Sequence, residues 1–172
     1  MRIADLIGTE LTWNQPSVWK NIYHLYAGGE QIAVLNYDSV WRTRGTIQSQ
    51  DGCWSFRSRS FWATMIDFSL CGSEQPVAVY ERNFWKGGGV FVLPYEHRLN
   101  VKFHAWKGEI SVTLPGSEQV LLHYRRQSAW RVSGIFTLTP AAERIPSLPL
   151  AVYMGWYAQV QAIRDQMAAA AA

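Results

Sequence analysis

Cysteine and charge are both scarce in this 172-residue chain. Two cysteines, Cys53 and Cys71, exclude the disulfide framework of a small secreted scaffold. The opening Met-Arg-Ile-Ala-Asp lacks the apolar stretch of a signal peptide, so a reducing cytoplasm is the expected setting. Charged residues make up 17%, and 16 basic against 13 acidic residues leave a net charge of +3. That excess is too mild to imply nucleic acid. Sequence motifs for catalysis are missing too: there is no paired-carboxylate, Gly-x-Ser-x-Gly or Cys/His constellation. His24, His97, His104 and His123 match no short metal motif, and each cysteine sits beside glycine with no base at hand. No cofactor, metal or enzymatic activity is expected.

What is abundant is apolar and aromatic. A hydrophobic content of 48% excludes disorder, and 172 residues suit one domain rather than two. Aromatics reach 14%, with 9 Trp, which favours strands over a plain helical bundle.

The chain repeats itself. Gly28-Gly29-Glu30-Gln31, Gly72-Ser73-Glu74-Gln75 and Gly116-Ser117-Glu118-Gln119 each precede an apolar run, and their glutamates lie 44 residues apart. The same offset relates Trp41 to Trp85, Gly45 to Gly89, Trp62 to Trp106, and Ile22 to Ile66 to Ile110. Such self-similarity is the mark of a repeated structural unit. Units at 18–61, 62–105 and 106–149, with a lead-in at 1–16, are expected to hold four strands each, at about 11 residues per strand and turn. Pro140, Pro146 and Pro149 weaken the last of them. The expected domain is therefore a mainly β, closed antiparallel barrel of about 12 strands over 17–147. A propeller needs four or more blades and offers no berth for the segment that follows.

That segment is helical and apolar on every side. No charge occurs from Ser147 to Ile163, and Leu150, Val152, Tyr153, Trp156, Tyr157 and Val160 cover the whole helical wheel. A helix of this kind belongs inside protein or inside lipid. It is short of the roughly 20 apolar residues of a membrane span, so a helix over 148–167 plugging the barrel is expected, with a tail anchor as the alternative. About 12 strands enclose a space too wide for side chains alone to fill, and a helix about 10–12 Å across suits it. Ala168 to Ala172 extends the helix without a message of its own.

This order of elements resembles the tubby C-terminal-like superfamily, which includes LURP-one-related proteins and phospholipid scramblases. The likeness spans about residues 17–167 and rests on the Trp54-Ser55-Phe56-Arg57 strand, the Gly-x-Glu hairpins, and Leu148-Pro149-Leu150 opening the helix. The resemblance implies a 12-stranded barrel around a C-terminal helix, with lipid or phosphoinositide contact in some members. The acidic calcium-binding segment of scramblases is absent, since Thr139-Pro140-Ala141-Ala142-Glu143-Arg144 holds one carboxylate.

The sharpest local feature is a basic hairpin. With Asp51-Gly52 as its two-residue turn, Arg44 would face Arg59, and Arg42, Arg44, Arg57 and Arg59 would all project from one face. The other face would collect Trp41, Ile47, Trp54, Phe56 and Trp62 as core. Facing arginines repel unless an anion lies between them, and their planar forks suit phosphate. The alternative is ordinary surface charge paired by nearby carboxylates. Lys86-Gly87-Gly88-Gly89 lacks phosphate-loop spacing and reads as a flexible connection whose Lys86 adds to the basic surface.

These residues lead to an expected non-enzymatic, cytoplasmic module, peripheral to the membrane, that meets anionic phospholipid headgroups or a phosphorylated partner through Arg42, Arg44, Arg57, Arg59 and Lys86. The competing expectation is a protein-interaction barrel that self-associates through exposed Trp13, Trp19 and Trp130.

Overall fold

The computed structural model describes residues 1–38, 44–60, 62, 64–83, 85, 87–128 and 130–171. Twelve strands follow in chain order: β1 (Glu10–Asn14), β2 (Ile22–Ala27), β3 (Glu30–Tyr37), β4 (Arg44–Ser49), β5 (Gly52–Ser58), β6 (Met65–Leu70), β7 (Pro76–Asn83), β8 (Gly88–Val92), β9 (Arg98–His104), β10 (Glu109–Thr113), β11 (Val120–Arg126) and β12 (Ser133–Leu138). Each pairs antiparallel with its chain neighbours, and β1 pairs with β12, from Glu10 opposite Thr137 to Asn14 opposite Ser133, so the barrel is closed. Among the described residues a single α-helix, α1 (Leu148–Ala171), follows a short 3₁₀ turn at Pro140–Arg144.

Side-chain alternation explains why the sheet closes around a core. On β2, Tyr23, Leu25 and Ala27 point inward and are buried, while Ile22, His24 and Tyr26 are half-buried on the outer face. Closure leaves no unpaired edge in a chain that is otherwise all strand. Twelve strands about 4.8 Å apart give a cylinder about 20 Å across before tilt, enough for a helix and a layer of inward side chains.

The helix occupies that space. Leu150 through Val160 are all buried, whichever side of α1 they lie on. Tyr157 packs on Phe56 of β5 and Phe68 of β6, with ring centroids 4.7 and 5.5 Å apart. On another side the hydroxyl of Tyr124, on β11, donates to the Val152 carbonyl at 3.0 Å. On β1, Trp13 Nε1 donates to Gln159 Oε1 at 2.6 Å. Ala158 and Ala162 face Tyr80 of β7 and Ile110 of β10 across a small cavity. Contacts with strands all round the sheet make α1 the axle of the barrel. It runs on through the alanine run to Ala171, and no helix among the described residues is long and apolar enough to cross a membrane.

Several expectations need correction. The segment 106–149 supplies three strands, β10 to β12, and a 3₁₀ turn occupies the place of the fourth. The twelfth strand is instead β1, inside the 1–16 stretch expected as lead-in. Prolines at 140, 146 and 149 deny the end of the chain a ladder, and β1 fills the gap between β12 and β2. Gly88 and Gly89 are strand residues of β8, not a flexible connection. A Cβ built at Gly89 would come within 2.8 Å of the Tyr80 ring, as one at Gly45 would come within 2.6 Å of Phe56. Glycine at these positions lets an inward aromatic of the neighbouring strand lie across the backbone.

Cys53 and Cys71 form a disulfide. Trp54 of β5 stands opposite Leu70 of β6, so the next pair outward is Cys53 with Cys71, and their Cα atoms are 5.4 Å apart. That separation is ordinary for a bridge. Disulfides persist in oxidising surroundings, which runs against the reducing setting expected from the sequence.

Candidate functional site

The basic hairpin exists, but its turn is one residue earlier than Asp51-Gly52. Gln50 and Asp51 form the turn, with Ser49 opposite Gly52, and Arg44 faces Arg57 rather than Arg59. Ser49 Oγ accepts from the Asp51 amide at 3.1 Å and donates to the Gly52 carbonyl at 3.3 Å, which fastens the turn in this register. Asp51 is also held from outside the hairpin, accepting from the Ile3 amide at 3.1 Å and from the Tyr153 hydroxyl at 3.0 Å. Burial and the neighbouring Asp51 raise the Tyr153 phenol above its ordinary range, so it stays a donor.

Alternation places Ile47, Trp54 and Phe56 inward and buried, and Arg44 and Arg57 outward and exposed. Trp62, expected in the core, is 75% exposed because it lies past the end of β5. Trp41 and Arg42 lie outside the described residues, as does Lys86.

Arg59 has a partner of its own. Its Nε donates to Asp67 Oδ2 at 2.8 Å and Oδ1 at 2.9 Å, and its NH2 group lies 2.7 Å from Oδ1. The hydrogen bond that Arg59 donates to Asp67 holds its guanidinium above its ordinary value. Asp67, opposite Arg57 on β6, is a site residue that the hairpin alone did not reveal. Arg44 and Arg57 are left without an ion pair within 4 Å among the described residues. They border an outer depression of about 180 Å³ that Asp38, Asp67 and Glu74 also line. The site is thus a mixed one: two free cations facing each other, with carboxylates around them.

No protein-family model, no curated protein and no solved structure matches this chain.

Inside the barrel there is little room for a substrate. A cavity of about 150 Å³ beside α1 is lined by Tyr80, Val101, Phe103, Ile110, Ala158 and Ala162 among others. Small-molecule sites usually occupy about 300–1,000 Å³. No three His, Cys, Asp or Glu side chains among the described residues stand close enough to hold a metal ion. His104 contacts Ser111 at 3.3 Å and His123 lies 3.6 Å from Glu109 on the outer wall.

Proposed function

We propose that this chain is a non-catalytic barrel module that contacts anionic phospholipid headgroups through the basic hairpin. The observation that carries the reading is the outward pair Arg44 and Arg57, opposite each other across β4 and β5 with no ion pair among the described residues. Like charges placed so are destabilising unless an anion bridges them, and guanidinium forks fit phosphate oxygens. The filled lumen supports a binding role over a catalytic one.

The resemblance to the tubby C-terminal-like superfamily is part of the same proposal. The closed twelve-strand barrel and its buried terminal helix support it. The internal repetition is supported by strand starts at 22, 65 and 109, and at 44, 88 and 133. Association is proposed as peripheral, at the cytoplasmic face; the disulfide is the feature that weighs against that compartment.

Binding to phosphoinositide-containing vesicles is the test. Binding should weaken as salt rises and vanish on replacing Arg44 and Arg57 with Ser, Arg59 being left in place because it pairs with the buried Asp67. No binding, or binding unchanged by the two replacements, overturns the hairpin contact. Loss of vesicle binding with retained binding of a phosphopeptide would move the reading to a phosphorylated partner.

A second reading, a protein-interaction barrel without lipid, draws on Trp19 and Trp130, which are 93% and 92% exposed. Trp13 has no part in it, since it is buried at 1% exposure. Light scattering that shows association rising with concentration would favour it.

A further inference from the structure

In a closed meander, connections alternate between the two ends of the cylinder. The described residues of the odd connections, within 15–21, 38–43, 59–64, 84–87, 105–108 and 127–132, all fall at one end. Backbone hydrogen bonds fasten this end: Gln15 N to Val132 O joins two connections, and Tyr37 N to Asn21 O, Arg82 N to Thr64 O and Phe103 N to Gly87 O tie a connection to a strand end. Each odd connection carries one tryptophan: Trp19, Trp41, Trp62, Trp85, Trp106 and Trp130. The five that are described are exposed by 75% or more, whereas the other three tryptophans, Trp13, Trp54 and Trp156, are core. Burying aromatics is the rule when no partner exists, so a crown of exposed indoles on one end marks a contact surface.

Charge follows the same division. A basic residue comes directly after the tryptophan in five of the six connections: Lys20, Arg42, Lys86, Lys107 and Arg131. Among the described residues of these connections, Lys20, Arg59, Lys107 and Arg131 stand against one carboxylate, Asp38. The connections at the other end, 28–29, 50–51, 71–75, 93–97, 114–119 and 139–147, hold five carboxylates and Arg144, with no tryptophan. The barrel therefore has a positive aromatic end and a negative end. Inside the positive end sits Arg164 of α1, 8% exposed, over the rings of Tyr37 and Tyr23 at 5.2 and 5.9 Å. Its terminal nitrogens have no hydrogen-bond partner among the described residues.

We propose that the barrel docks end-on onto an anionic phospholipid bilayer, its axis along the membrane normal, with the indoles of the odd connections lodged at the headgroup level and the adjoining Lys and Arg on lipid phosphates. Indole suits this depth because its ring is apolar and its N–H seeks a wet acceptor, and nearby cations add attraction to an anionic leaflet. The docking surface deepens the headgroup reading given above and rests on it. It relocates the main contact from the hairpin wall to the rim that Arg44 and Arg57 adjoin.

The test is vesicle co-sedimentation of the full chain with phosphatidylcholine vesicles holding roughly one-third phosphatidylserine, beside pure phosphatidylcholine. Wild type should bind the anionic vesicles at least about ten-fold more tightly, and brominated acyl chains should quench its tryptophan fluorescence. W19S/W85S/W106S/W130S should lose at least about ten-fold in affinity and the quenching, with an unchanged circular dichroism spectrum. K20S/K107S/R131S, which leaves the indoles in place, should lose binding to the anionic vesicles and retain whatever binding the neutral ones show. Wild-type binding that survives the tryptophan replacements and is lost in R44S/R57S overturns end-on docking and leaves the headgroup reading standing. Binding lost in the tryptophan variant and unaffected in R44S/R57S supports the docking and overturns the hairpin as the contact, with the anionic headgroup still the ligand. Absence of wild-type binding overturns both. A concentration-dependent dimer that the tryptophan replacements abolish would assign the crown to a second copy of the chain and overturn the docking.

Discussion

Replacing Gly155 with Ala tests whether α1 is enclosed. In an exposed helix this substitution stabilises by about 1 kcal/mol, because alanine loses less backbone freedom on folding and prefers the helix. Here the added Cβ would stand 2.6 Å from Tyr124 Cε2, and closer still to Cζ and the hydroxyl. The Tyr124 ring has little freedom to yield. It is 0% exposed, packs on Phe136 at 4.9 Å, and is tied to the Val152 carbonyl at 3.0 Å. Overpacking costs about 1–3 kcal/mol, and displacing a buried hydroxyl from its acceptor costs about 1–3 kcal/mol more. Set against the propensity gain, the expected net loss is about 3 kcal/mol, which for a chain of this length lowers Tm by roughly 6–12 °C. Thermal unfolding followed by circular dichroism reads it directly. Tyr124→Leu removes the obstructing ring, so the double variant should lose clearly less than the sum of the two single ones. A Gly155→Ala protein as stable as wild type, or more so, would refute the enclosed helix, because the two situations predict opposite signs.

Reduction of Cys53–Cys71 should also lower stability, since the bridge closes a loop with a sequence separation of 18, worth about 3 kcal/mol on the chain-entropy account. Dithiothreitol reaches it readily, as Cys71 is exposed, and an unchanged Tm after confirmed reduction would count against the bridge. Alkaline pH should unfold the barrel. Burial pushes the Tyr80 and Tyr157 phenols up to about 12, and Tyr124 is raised by the same cause. The folded state then holds protons that unfolded tyrosines release near pH 10, so stability is full below that pH and falls as pH climbs toward 12, by about 3 kcal/mol for each of Tyr80 and Tyr157. Phenolate absorbance should therefore show these tyrosines ionising only together with loss of the near-ultraviolet dichroism; smooth titration with tertiary structure intact would contradict their burial.

Much of the architecture could be read from residue order because the signals were long. A helix with no polar face from Leu148 to Val160 has few places to go, and strand alternation such as Ile47, Trp54 and Phe56 against Arg44 and Arg57 survives any small change of turn. Short signals failed. Asp51-Gly52 has the sequence of a hairpin turn, yet Ser49, Ile3 and Tyr153 capture Asp51 and shift the turn by one residue, bonds that no local pattern contains. The bridge needed the β5–β6 register, and β1 needed the knowledge that its partner lies more than a hundred residues away. In the candidate site the arginine face was visible, but not Asp67, which sits on the next strand and takes Arg59 away from the cluster. The tryptophans at 19, 41, 62, 85, 106 and 130 recur about every second strand; the 44-residue offset picked out Trp41 with Trp85 and Trp62 with Trp106, but it links only alternate members, so the series of six was not seen as one.

The β1–β12 seam dictates an order of assembly. A wall that meets its own beginning only after the last plank is laid cannot shut until Leu138 has been made, and the axle from Leu148 onward must already be in place or be caught as it shuts. At synthesis rates of about 5–20 residues per second, β1 has β2 beside it at once but waits roughly 6–25 s with its other flank unmatched. Pairing across such a span also makes closure slow by nature. The nascent chain is therefore most exposed to mispairing at Glu10–Asn14, and a holdase would find its work there rather than at the finished, edgeless cylinder.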